Sequence, residues 1–161
     1  DDKYCAGNAN PDFYYGLNVK LSYKNWDFGF NGHGSLGYQV FNDFASNNST
    51  AYFDVNAGNL PNFATAVKRT GFTQISGDYQ YFSDFYLEDA SFFRLDDINL
   101  GYTFKEIGNW GGNIRVAASC QNVFVITNYS GIDPEINSTD GVDRTFWPRP
   151  RTFSVRLNVN F

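Results

Sequence analysis

Residues 153–161 alternate without a break: Phe153, Val155, Leu157, Val159 and Phe161 fall on one face of an extended chain, and Ser154, Arg156, Asn158 and Asn160 on the other. Side chains of a strand point to opposite faces in turn, whereas a helix needs a repeat near 3.6, so this pattern selects a strand. Near the start, Phe13, Tyr15, Leu17, Val19, Leu21 and Tyr23 oppose Tyr14, Gly16, Asn18, Lys20 and Ser22. Lys24-Asn25 then predicts a tight hairpin turn. In the strand that follows, Trp26, Phe28, Phe30, Leu36, Tyr38 and Val40 alternate with Asp27, Gly29, Asn31, His33, Ser35, Gly37 and Gln39. Two more strands lie between about 91 and 125. Ile98, Leu100, Tyr102 and Phe104 share a face, but Phe93 and Leu95 have the opposite parity, which predicts a bulge near Asp96-Asp97. Ile114, Val116, Ala118 and Cys120 oppose Arg115, Ala117, Ser119 and Gln121, after a Gly-rich turn over 105–112. The predicted strands are about 12–23, 25–40, 91–104, 113–125 and 151–161.

The connections between these strands are unequal. Strands one and two, and three and four, are joined by short turns, while 41–90 and 126–150 are long, polar and aromatic. Antiparallel strands reverse direction in turn, so the short turns share one rim and the long loops the other, as periplasmic turns and extracellular loops do in an outer-membrane barrel. A soluble sheet over a core also alternates. Lipid is favoured by aromatics at the strand ends (Phe13, Tyr23, Trp26, Tyr102, Phe104, Phe153, Phe161), by the polar opposite face, and by strand lengths that match the roughly 9–11 residues of a tilted membrane crossing. Aromatic content of 19% with no Met excludes a disordered or collagen-like chain. A net charge of -5 disfavours a nucleic-acid partner. Cys5 and Cys120 lack the spacing of a metal site and are read as structurally neutral.

About five strands cannot close a membrane barrel, because bacterial single-chain barrels have even counts from 8 upwards and an open edge leaves backbone groups unpaired in hydrocarbon. The expectation is therefore that other strands pair with both edges. They would come from a missing N-terminal part of the same polypeptide or from further copies; the start at Asp1-Asp2-Lys3, without Met or signal peptide, favours the former.

Several motifs carry a family resemblance. Leu87-Glu88-Asp89-Ala90-Ser91-Phe92-Phe93-Arg94-Leu95 is followed by Ile98-Asn99-Leu100-Gly101-Tyr102-Thr103-Phe104, by Gln121-Asn122-Val123-Phe124 and by Tyr129-Ser130-Gly131-Ile132-Asp133-Pro134-Glu135. The chain ends on Trp147-Pro148-Arg149-Pro150-Arg151-Thr152-Phe153 through Leu157-Asn158-Val159-Asn160-Phe161. In this order they resemble the C-terminal region of SusC/RagA-type TonB-dependent transporters of Bacteroidetes outer membranes, and Gly7 to Gly16 resembles the family's approach to a strand. The resemblance implies an all-β fold, a transmembrane antiparallel segment of about five C-terminal strands of a 22-stranded barrel. It also implies import of glycans or peptides with a SusD-like surface lipoprotein as lid, and energy from TonB through an N-terminal region absent here. A secreted β-sandwich that binds glycans through its aromatics, and a barrel piece with a structural or docking role, are the alternatives.

The candidate sites follow from these placements. Tyr52, Phe53, Tyr79, Tyr81, Phe85 and Tyr86 belong to an aromatic-rich loop that would meet the lipoprotein or substrate; the competing reading is that the loop packs on itself, with short helical turns over 50–56 and 63–68. Arg94, Arg115 and Arg156 fall on the polar, lumen-facing side, either along a substrate path or against a plug domain, or else in lumenal hydrogen bonds and salt bridges with no ligand. Phe153, Val155, Leu157, Val159 and Phe161 are, by resemblance to outer-membrane proteins generally, a signal to the barrel-assembly machinery. No cofactor is expected; the one exception left open is a structural calcium among Asp133, Glu135, Asn137, Asp140 and Asp143, whose spacing departs from an EF-hand. His33 is the single histidine and no nucleophile is linked to it by motif, so no catalysis is expected.

Overall fold

The computed structural model describes residues 4–48, 51–52, 68, 70, 73–74, 83–107, 111–136, 140–144 and 147–160. In chain order the elements are β1 (Phe13–Tyr23), β2 (Trp26–Leu36), β3 (Gln39–Asn42), α1 (Asp43–Asn48), β4 (Ala51–Tyr52), β5 (Thr73–Gln74), a 3-10 turn (Asp84–Tyr86), β6 (Leu87–Asp89), β7 (Phe92–Ile107), β8 (Gly112–Thr127), β9 (Val142–Asp143) and β10 (Thr152–Asn160). They form two compact units, a sheet unit of Asp12–Leu36, Phe92–Thr127 and Arg149–Phe161 and a loop unit of Asp1–Pro11, Gly37–Ser91 and Asn128–Pro148.

The sheet unit is one five-stranded sheet in the order β1-β2-β7-β8-β10, antiparallel at every pairing. Its registers carry the alternation from strand to strand. Val19 lies opposite Phe30, Phe30 opposite Ile98, Ile98 opposite Cys120 and Cys120 opposite Phe153, so the apolar positions of all five strands make one face. The parity change in the third strand is a bulge: Asn31 pairs with Asp97 but Gly32 with Leu95, leaving Asp96 as the extra residue. With that residue set aside, Phe93 and Leu95 rejoin the face of Ile98 and Leu100. The extra carboxylate has a partner of its own, His33 Nδ1 at 2.6 Å from Asp96 Oδ2.

The strand ends differ from the expected ones after β2 and after β7, whereas the β1–β2 turn falls at Lys24-Asn25 as expected. β2 stops at Leu36, not at 40, because Gly37 takes a left-handed φ of 77° that few side chains tolerate. Tyr38 and Val40, which extend the apolar pattern of β2 in the sequence, instead lie buried in the loop unit. The turn after β7 is tighter than 105–112: Ile107 pairs with Gly112, and Gly111 supplies a φ of 63°. In the β1–β2 turn Lys24 itself takes the left-handed region, with φ 55°, and Thr103 N donates to Asn25 O at 2.9 Å.

The loop unit has its own small core. β3 pairs antiparallel with β6 and parallel with β9. Val40, Phe41, Tyr86, Ala90 and Tyr129 are buried around these strands together with Asn42 and Asp143. Asn42 ends β3 and caps the helix that follows, its Oδ1 accepting from Ala45 N at 2.9 Å. Helix α1 has no expected counterpart, and Ala51–Tyr52, expected to be a helical turn, is a short strand paired parallel with Thr73–Gln74. Most of the two expected helical turns, 50–56 and 63–68, lies outside the described residues.

Candidate functional site

The apolar face of the sheet is solvent-exposed and zoned. Along one margin stand Phe13, Tyr15, Phe93 and Phe124; along the other, Tyr23, Trp26, Tyr102 and Phe104, with Tyr102 packed edge-on against both Trp26 and Phe104 at 4.7 Å between ring centres. Between the margins lie Leu17, Val19, Leu21, Phe28, Phe30, Leu100, Val116, Val155 and Leu157. From Phe13 to Tyr23 the strand rises roughly 33 Å, at about 3.3 Å per residue. Tilted by about 40°, that is close to the apolar band of roughly 25 Å of outer-membrane barrels. Val155 is 81% and Leu157 64% exposed, values that water would penalise and lipid would not.

Two glycines on this face have a local reason. At Gly32 an added Cβ would lie 2.9 Å from Phe93 Cζ, and at Gly34 it would run into the ring of Tyr15. The Tyr15 and Phe93 rings are stacked, 6.2 Å apart and 6° from parallel, and Tyr15 OH donates to Phe92 O at 3.4 Å. Large rings thus cover a glycine strip, the arrangement by which aromatics protect the backbone of glycines in sheets.

The opposite face is polar and internally bonded. Asn18, Asn31 and Asp97 lie side by side on β1, β2 and β7 and form a ladder, Asn18 Nδ2 donating to Asn31 Oδ1 and Asn31 Nδ2 to Asp97 Oδ1. Arg115 reaches from β8 across β7 to Asp27 on β2, its Nε donating to Oδ1 at 3.0 Å and its Nη2 to Oδ2. Gly101, directly opposite Asp27, makes the crossing possible, because a Cβ there would sit 2.5 Å from Arg115 Nη2. Arg94 is buried, donates from Nη1 to Asn122 Oδ1 at 2.8 Å and lies 5.8 Å from the centre of the Phe92 ring. Arg156 lies opposite Ala117 on the same face. The register thus puts all three arginines on the polar side, at separate places rather than in one cluster. Sequence reasoning missed Asp27 as the partner of Arg115, Asn122 as that of Arg94, and the ladder of Asn18, Asn31 and Asp97; in the sequence these are simply positions of alternating strands.

The predicted loop residues divide. Tyr86 is 2% exposed and packs edge-on against Phe41, so its ring belongs to the core of the loop unit and offers no contact surface. Phe85 is exposed at 58%. Tyr52 lies in β4, and Phe53, Tyr79, Tyr81 and Phe161 lie outside the described residues. Glu88 ties the unit together: Oε1 accepts from Asn42 Nδ2 at 3.0 Å and from Ser130 Oγ at 2.7 Å, and Oε2 accepts from Ser130 N at 2.7 Å. Tyr129 OH donates to Asp143 at 2.7 Å, and burial, with Asp143 next, pushes its pKa well above the usual phenol value. A cleft of about 790 Å³, lined by Gly7, Gln39, Phe41, Asp84, Leu87 and Val142, opens in the same unit. Of the acidic cluster, Asp133 accepts from Glu135 N, Asp140 pairs with Arg144 at 2.8 Å and Asp143 holds Tyr129; Asn137 lies outside the described residues. Among the described residues no three of His, Cys, Asp and Glu come together as a metal ion would need.

No described helix is long and apolar enough to cross a membrane. A single antiparallel sheet with an aromatic-bordered apolar face and a hydrogen-bonded polar face is instead the wall of a transmembrane β-barrel, here an open segment of one. The comparisons with known proteins agree. No protein-family model matches the chain. Its sequence is 37% identical over 168 residues to the TonB-dependent receptor SusC of Bacteroides thetaiotaomicron, a match taking in 99% of this chain and 16% of SusC. It is 32% identical over 181 residues to TonB-dependent receptor P3 of Formosa agariphila, covering 99% of this chain and 17% of P3. In fold it superposes on the RagAB peptide importer in its closed-closed state with a TM-score of 0.70 at 18% identity, over 95% of this chain and 18% of that one. The open-open state gives 0.70 at 19% identity, over 94% and 17%. The chain is therefore related along its whole length to SusC/RagA-type TonB-dependent receptors, and it spans about a sixth of the length of these curated relatives. The β-sandwich alternative falls with that kinship and with the single large sheet. Both curated relatives are named as TonB-dependent receptors, not as enzymes.

Proposed function

We propose that this chain forms part of the barrel wall of an outer-membrane importer of glycans or peptides, driven through TonB and working with a SusD-like surface lipoprotein. The observation that carries the reading is the 37% identity to SusC from one end of the chain to the other. The zoned apolar face is its lipid contact, and the polar face with Arg94, Arg115 and Arg156 lines the lumen. Phe85, with Tyr52, Phe53, Tyr79 and Tyr81, belongs to an extracellular loop that meets the lipoprotein or the substrate. The last strand, through Phe153, Val155, Leu157, Val159 and Phe161, is what the barrel-assembly machinery reads. Growth tests the reading: a strain lacking the gene is expected to lose growth on one oligosaccharide or peptide mixture while keeping growth on the corresponding monosaccharides or amino acids. Unimpaired growth on every oligomeric nutrient would instead support a docking role without transport.

A further inference from the structure

Perfect alternation protects a strand against slipping by one residue, since every side chain would change face. It gives no protection against slipping by two. Moved two residues along β8, β10 would keep Phe153, Val155, Leu157 and Val159 on the apolar side, and nothing in the pattern of 152–160 distinguishes the two alignments. Among the described residues β8 is the strand that β10 pairs with, so it is on β8 that the alignment is read.

The structure resolves this degeneracy just ahead of β10. Asn122 on β8 has a left-handed backbone, φ 51°, a conformation that Asn and Gly accept more readily than other residues. Its parity would place it on the apolar side, yet its amide bonds with polar-face and strand-start groups. Oδ1 accepts from Arg94 Nη1 at 2.8 Å, Nδ2 donates to Arg149 O at 2.7 Å, and the backbone carbonyl accepts from Arg151 Nε at 3.4 Å. Arg94 is itself buried on β7, so the amide is held from behind. Between the two gripped residues, Pro150 fixes its own φ and leaves the 149–151 segment little slack. The strand then begins with Thr152 opposite Gln121, next to Asn122.

We propose that Asn122 is the register lock of β10: its bonds to Arg149 and Arg151 select one of the alignments that alternation leaves equivalent. The full encoded polypeptide, with its native cysteines, among them Cys5 and Cys120, replaced by serine and assembled in its own outer membrane, tests this by paired cysteines on the polar face. Ser119→Cys with Ser154→Cys reads the observed register, and Ser119→Cys with Arg156→Cys reads a slip of two. A short bifunctional thiol reagent is expected to favour the first pair by about tenfold or more with Asn122 intact. Asn122→Gly keeps the left-handed backbone but removes the amide, and is expected to lower that preference about fivefold or more. An unchanged preference overturns the proposal. Should Asn122→Gly fail to assemble, Arg151→Ala, which leaves β8 untouched, is read in its place; a reduced preference supports the lock and an unchanged one overturns it.

Discussion

At Gly101 a missing side chain decides a pairing. Asp27 and Arg115 stand on strands separated by β7 and meet only because the position between them is empty. Gly101→Ala is therefore expected to part the pair and cost about 0.2–1 kcal/mol, the range for an ion pair that water still reaches. Urea unfolding of the barrel in detergent measures it, and the cost should largely vanish in an Asp27→Ala background, where there is no pair left to part and Arg115 is no longer held over Gly101. Tyr129 gives a pH dependence. Its folded pKa is raised by burial and by Asp143. The neutral phenol is thus the form the fold prefers, and its contribution is fully present below about pH 10, the unfolded value, and is lost as pH rises beyond it. Tyrosinate absorbance should therefore show a late-titrating component in the wild type that Tyr129→Phe removes.

Between neighbouring strands, what alternation can and cannot specify becomes clear. The faces of β1, β7, β8 and β10 and the bulge at Asp96 are legible because each follows from parity within a short stretch. Which residue of one strand meets which of the next is not, so the Asn18–Asn31–Asp97 ladder, the Asp27–Arg115 pair and the Asn122 clamp escape a reading by period. Asp27 and Arg115 lie 88 positions apart in sequence. β2 ends short of the period for a related reason: Tyr38 and Val40 keep the alternation across Gly37, but the left-handed φ of that glycine ends the strand and they belong to the loop unit. Tyr86 likewise owes its role to burial, and Glu88 to bonds with Asn42 and Ser130 far off in sequence, that no local pattern announces. The two faces of β10 make opposite demands at adjacent positions. Val155→Arg puts a charge on the apolar side and is expected to cost about 2–4 kcal/mol near the bilayer midplane. Ser154→Arg, one residue away on the polar side, should be close to neutral. The fraction of heat-modifiable, folded barrel in outer-membrane preparations compares them.

For the molecule as a whole, the central claim is that this sheet is a membrane wall with lipid on one side and water or protein on the other. Kinship with SusC-type receptors and superposition on the RagAB importer agree with it, as does the exposed apolar face with its aromatic margins. Single cysteines placed in turn at residues 152–160 of the full polypeptide with its native cysteines, among them Cys5 and Cys120, replaced by serine, in intact outer membranes, and treated with a membrane-impermeant maleimide test it most directly. The account expects a period of two, with 153, 155, 157 and 159 protected until detergent is added and 152, 154, 156, 158 and 160 more reactive. Equal labelling at odd and even positions before detergent would contradict it.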